Sequence, residues 1–174
     1  MRWQKTSWVG SAAAMMLFGC GKAMTNRMAP FDPAKRDALE KTVTNLLRGA
    51  SGRSIPVVPL DLFFEGNRDV GSIGCNLSPH PGVAHFHNVL TRLRSRPEVQ
   101  DVLVEVDELG DADTWPYSGA VYVLTSLPAA DIASSVAALG PEDPIDGPAD
   151  MPKQTVVGLP QLREGMRVVM LWWD

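Results

Sequence analysis

Nine residues, Val99 to Asp107 (VQDVLVEVD), constrain this chain most. Val102, Val104 and Val106 alternate with Asp101, Glu105 and Asp107, with Leu103 as the exception. A period of two places one row of side chains in a core and the next row outside it. The segment is therefore a strand of a sheet that is covered on one face. Its neighbours follow in a regular order. Ser72 to Leu77 has Ile73, Cys75 and Leu77 on one side and is predicted as a short strand. Val83 to Ser95 carries Val83, Phe86, Leu90 and Leu93 at helical spacing. Ala120 to Ser126 is a third strand, Pro128 to Leu139 a second helix, and Arg167 to Trp173 a last apolar strand.

That order is β-α-β-β-α-β, which resembles the split-βαβ, ferredoxin-like two-layer α+β sandwich. The resemblance implies two helices on one face of a four-stranded antiparallel sheet over residues 72–174. Residues 32–71 precede it as an N-terminal helix and a strap. Asp32-Pro33 reads as an N-cap followed by proline in the first turn. Leu39, Val43, Leu46 and Leu47 make an apolar stripe, and Gly49 stands where a helix stop belongs. Ile55 to Phe64 (IPVVPLDLFF) is apolar but holds two prolines, so it is expected as an extended strap. Leu103, Tyr122, Leu124 and one of Trp172 and Trp173 point to the uncovered sheet face, and the strap is expected to cover them through Val57, Leu60, Leu62 or Phe63. Pro141 to Gly165, with five prolines, reads as a long loop or partly extended excursion.

The first twenty residues are different in kind. Arg2 and Lys5 precede an uncharged, mostly apolar run from Trp8 to Gly19, which matches the layout of a secretory signal peptide. No apolar run reaches the length of a membrane-spanning helix. Leu17-Phe18-Gly19-Cys20 resembles the lipobox of bacterial lipoproteins, although Phe18 departs from the usual small or β-branched residue. The resemblance implies that residues 1–19 are removed, that Cys20 is lipidated, and that residues 20–31 tether the domain to a membrane of the bacterial envelope. A lipid adds roughly 0.8 kcal/mol per buried CH2. Cys75 is then left without a partner. The alternative is a cytoplasmic protein whose translation starts at Met24 or Met28.

Charge narrows the function classes. Sixteen basic residues against twenty acidic ones give a net charge of -4. An acidic balance argues against sequence-independent nucleic-acid binding. Seven acids and no base occupy residues 98–113, including Asp107, Asp111 and Asp113. They suit a basic protein partner. A calcium loop would need a different spacing. Tyr122, Trp172 and Trp173 are further candidates for partner binding, because Tyr and Trp dominate interaction hot spots. Arg92, Arg94 and Arg96 complement a helix C-terminus.

All three histidines, His80, His85 and His87, lie within eight residues and are the candidate metal ligands. His85 and His87 diverge on a helix, and no cysteine or acid stands nearby to complete a closed site. The chain has no C-x-x-C, Walker loop, G-x-S-x-G or H-E-x-x-H, and no motif calls for a cofactor. The third strand lacks the basic and aromatic residues of an RNA recognition motif. Ser78 to Gly82 lacks the arginine of an acylphosphatase loop. The expectation is a small, acidic, membrane-tethered interaction module without catalytic activity. The alternative is a small enzyme or metal-dependent protein with its site at His80–His87.

Overall fold

The computed structural model describes residues 31–50, 54–146 and 155–173. The signal segment and most of the tether lie outside the described residues. The first helix, α1, is Pro33–Leu47; the Asp32 carboxylate accepts a hydrogen bond from the Ala34 N–H at 2.9 Å and Pro33 opens the first turn. Leu39 and Val43, one helical turn apart, are buried. Beyond α1 come β1 (Ser54–Pro59), α2 (Leu60–Phe64), a 3-10 turn at Val70–Ser72 and α3 (Val83–Arg94). They are followed by β2 (Val99–Glu105), β3 (Ala120–Thr125), α4 (Ala129–Ser135), β4 (Ile145–Asp146), β5 (Thr155–Val157) and β6 (Arg167–Trp172).

The protein is α+β, with one six-stranded sheet in the order β4-β6-β3-β2-β1-β5. Every pairing is antiparallel except that of β1 with β5. The split-βαβ order expected from the pattern is not the order in the sheet. Helices α2 and α3 connect β1 to β2, and these two strands are adjacent and antiparallel. The same holds for β3 and β6 on either side of α4.

Two expectations about the N-terminal half need correction. Residues 72–77 are not a strand. Asp69 caps a 3-10 turn by accepting from the Gly71 N–H, and Ile73 turns into the core with a single bridge to Ser118. Gly74, at φ +57°, then lies so close to the Phe86 ring that a Cβ there would stand 2.9 Å from Cζ. Apolar alternation without a ladder partner is not a strand.

The first strand is instead the proline-bearing segment. Ser54–Pro56 pair with β5 and Val57–Pro59 pair with β2; Pro56 meets both neighbours, since its carbonyl accepts from the Val106 N–H at 2.9 Å, a bond that needs no N–H of its own. Residues 54–64 are therefore part of the sheet and the helical layer. Val57 does join the far face, but Leu60 and Phe63 belong to the core under the helices.

The sheet buries both faces. Val102, Val104, Val121, Val123, Val169 and Leu171 meet the helices through Phe86, Leu90, Leu93 and Ile132. Val57, Leu103, Tyr122, Leu124, Val168 and Met170 form a second cluster behind the sheet. The proline-rich excursion supplies the cover for that cluster: Ile145, Val156 and Leu159 pack against it. Gln100 pins the same segment, donating to the Gln161 carbonyl at 2.9 Å and accepting from the Arg163 N–H at 2.8 Å.

Candidate functional site: an acidic and aromatic cleft

A cleft of about 430 Å³ opens on the far face of the sheet, at one end of β1, β2, β3 and β6. Strand register explains it. One cross-strand row reads Ile145, Met170, Tyr122, Leu103. On the same face, two residues along, Trp172 stands opposite Ala120, and Glu105 stands opposite Val57. Ala120 and Gly119 contribute almost no side-chain volume, so the surface dips between larger groups. Ile55, Asp107 and Tyr117 border the dip.

The acids enter from β2 and its extension. Glu105 is buried on the cleft face, and Asp107, two residues on, is exposed. Among the described residues no hydrogen bond or ion pair engages the Asp107 carboxylate. The backbone of Asp107 is fixed to Tyr117, whose carbonyl accepts from the Asp107 N–H at 2.9 Å. Tyr122 is fully buried, with Glu105 beside its hydroxyl. Burial, then the negative charge of Glu105 and a hydrogen bond with it, and last the charge of Asp107, raise the phenol above its ordinary range. It is a neutral group held beside carboxylates.

The candidate residues named from the sequence separate into two groups. Tyr122, Trp172 and Asp107 meet at this cleft, and Trp173 borders it. The indoles of the last two point to opposite faces. Trp172 donates to the Asp143 carbonyl at 3.2 Å, whereas Trp173 is buried under the helices and donates to the Leu139 carbonyl at 2.8 Å. Trp173 is thus mainly a core residue.

Asp111 and Asp113 do not reach the cleft lining. Their loop is held by Arg36 of α1, a buried arginine. Its guanidinium donates to the carbonyls of Thr114 (2.8 Å), Asp111 (3.1 Å) and Leu109 (3.3 Å), and to Glu40 (2.6 Å).

The three histidines do not converge. His80 Nε2 meets the Ile73 carbonyl at 2.8 Å, and His80 Nδ1 accepts from the Gly82 N–H at 2.9 Å. Both ring nitrogens are therefore spent on shaping the turn before α3. His87 stacks on Phe64 with centroids 5.1 Å apart and faces Asp61 at 3.3 Å. Asp61 also accepts from Arg94 at 2.9 Å, and this pairing, opposed in part by burial, holds its carboxyl below the ordinary range. His85 belongs to neither arrangement. Among the described residues no three His, Cys, Asp or Glu side chains come together as a metal site. The metal reading of His80, His85 and His87 has no geometry to support it.

Cys20 lies outside the described residues. Cys75 is disulfide-bonded, which corrects the expectation of a thiol without a partner. Among the described residues no helix is long and apolar enough to cross a membrane.

Three features of the site left little trace in the sequence. Arg36 looks like an ordinary exposed helix residue. Glu105 reads as the outward side of an alternating strand. Ala120 and Gly119 matter through what they lack. The usable signal was the cluster of aromatic residues on strands whose far face was already too apolar for water.

The fold and the cleft define a small α+β domain whose covered sheet keeps one acidic and aromatic opening. The chain belongs to the Uncharacterized protein YfbO family, whose model matches residues 34–171. It is 32% identical over 120 residues to the "Uncharacterized protein YfbO" of Escherichia coli (strain K12), a match covering 68% of this chain and 83% of that one. No solved structure matches it at a significant level.

Proposed function

We propose that this protein is a non-enzymatic interaction module of the bacterial envelope, and that the cleft docks a basic protein partner. One observation carries the reading: the cleft sets two carboxylates against Tyr117, Tyr122 and Trp172, and none of the described residues that line it is basic. Among the described residues no histidine, serine or cysteine lines it. Interaction surfaces combine aromatic anchors with complementary charge in this way.

The N-terminal segment supports the location. Its positive start, apolar run and Leu17-Phe18-Gly19-Cys20 suit export and acylation at Cys20. The chain holds only two cysteines, so an intrachain disulfide and a thioether at Cys20 are alternatives. Intact mass of the protein from membranes distinguishes them. The expected species begins at Cys20 and carries acyl chains. A chain starting at Met24 or Met28 in the cytosol refutes the envelope reading, and an uncut or unlipidated chain refutes the anchor.

The docking surface is tested with a photo-crosslinking residue at position 172 in cells, beside a control at Lys41 on the outer side of α1. Crosslinking of position 172, and not of 41, to a basic protein is the expected result. Crosslinks confined to position 41 refute the surface.

A further inference from the structure

We infer that His80 is an acid-sensitive latch: its neutral imidazole staples together the two ends of the loop at residues 74–81, and a proton on the ring releases them.

The geometry admits one state of the ring. His80 Nε2 stands 2.8 Å from the Ile73 carbonyl, just before the loop, and Nδ1 stands 2.9 Å from the Gly82 backbone N–H, just after it. A carbonyl oxygen only accepts and a backbone N–H only donates. Nε2 must therefore carry the proton, and Nδ1 must offer its lone pair. That is the neutral Nε2–H tautomer. The imidazolium has a proton on both nitrogens. Its Nδ1–H would face the Gly82 N–H, donor against donor, and both groups would lose their partner. A donor left unpaired in a partly buried turn is the costly side of a hydrogen bond.

The latch holds more than its own turn. Gly82 precedes α3 at φ +96°, and its carbonyl accepts from the His85 N–H at 3.0 Å and the Phe86 N–H at 3.2 Å. Among the described residues no side chain caps this helix start. The first turn of α3 is thus built on a residue whose own N–H is fixed by His80. At the other end, Ile73 is fully buried and bridges Ser118. Between them, Gly74 lies against the Phe86 ring, and His80 packs on the same ring with centroids 5.7 Å apart. Release of the loop uncovers that side of Phe86.

The surroundings leave the proton uncompensated. His80 is half-buried, so water reaches the ring. The side chain packed on it from α3 is Phe86, which carries no charge. The titratable side chains of the neighbouring segments are His85 on α3, Glu142 beyond the Gly140 that meets Leu77, and Cys75 in the loop, which is disulfide-bonded. Among the described residues none of them makes a hydrogen bond or ion pair with the ring, so no anion is in place to hold an imidazolium. His87 is engaged elsewhere, stacked on Phe64 and facing Asp61.

The test is backbone amide exchange of the full chain, followed by NMR at about pH 7.5 and about pH 5, a range across which an imidazole changes charge. Rates are corrected for the intrinsic pH dependence of exchange. Protection of the Gly82 N–H, and of the Leu77 N–H that donates to the Gly74 carbonyl, should fall at least about tenfold on acidification, with β2 and β3 unchanged. His80→Asn keeps an oxygen that can accept from an N–H two residues on and cannot titrate, so its protection should be the same at both pH values. A chain carrying both His85→Gln and His87→Gln should keep the acid response. Should His80→Asn fail to fold, the wild-type chain still decides: the Gly82 amide shift must move with the titration of the His80 ring and share its midpoint. Equal wild-type protection at both pH values would overturn the latch. So would an acid response that survives His80→Asn or vanishes in the double variant, or a Gly82 amide that stays still while His80 titrates.

Discussion

Replacing Phe86 by alanine should remove a large share of the stability of the fold. The ring is fully buried, 5.2 Å from the Trp173 indole and 5.7 Å from the His80 imidazole, centroid to centroid. It also closes over Gly74. A buried aromatic removes 150–250 Å² from water, which at about 25 cal/mol per Å² is roughly 4–6 kcal/mol for the whole side chain. Alanine retains part of that area, and its neighbours relax only partly into the void. The expected loss is about 3–5 kcal/mol. With a urea slope of about 2 kcal/mol/M, the unfolding midpoint falls by about 2 M. Far-UV circular dichroism is the suitable probe, because Trp173 fluorescence responds directly to loss of its neighbour. Phe86→Leu keeps most of the apolar bulk and should cost about half as much. A loss under about 1 kcal/mol for Phe86→Ala, with an unchanged slope, would show that α3 does not pack on the sheet through this residue.

Three further outcomes follow from named contacts. Arg36→Met removes the donor shared by the Leu109, Asp111 and Thr114 carbonyls, and should cost about 2 kcal/mol and speed amide exchange across residues 109–115; unchanged protection there would mean that the loop holds itself. Gly158→Ala should cost at least about 2 kcal/mol in urea unfolding, because its Cβ would meet the Val57 carbonyl oxygen at 2.4 Å at φ +98°, whereas Gly165→Ala, at φ +77° in open space, should cost about 1 kcal/mol; equal losses would refute the close approach. The folded state holds the Tyr122 proton more tightly than the unfolded chain does, so this contribution is complete below about pH 10 and is lost as pH rises above it. Tyr122→Phe should flatten that alkaline fall; urea midpoints at pH 7 and pH 10.5 (roughly one half unit above the ordinary phenol value) read the effect, and an unchanged fall would refute it.

The sequence by itself determined the local elements wherever a pattern closes on short range. Asp32-Pro33 started α1, the spacing of Phe86, Leu90 and Leu93 made α3, and the alternation in Val99 to Asp107 made β2. It also showed that Tyr122 and Leu124 put apolar surface behind the sheet, because side-chain direction in a strand depends only on parity. Which segment covers that surface depends on distant pairings, and parity does not encode those. Pro56 and Pro59 argued against a strand, yet Pro56 joins its neighbours as an acceptor, through a carbonyl that takes the Val106 N–H, and Pro59 is the last residue of β1. Ile73, Cys75 and Leu77 had the alternation of a strand and no neighbour to pair with. The cleft is the same kind of fact. Glu105, Ala120, Trp172 and Ile55 come from four strands spread across the chain, and only register sets the small residues between the large ones. Arg36 shows the limit most plainly: its burial is created by the carbonyls of a loop more than seventy residues away, and those are backbone groups that every residue carries.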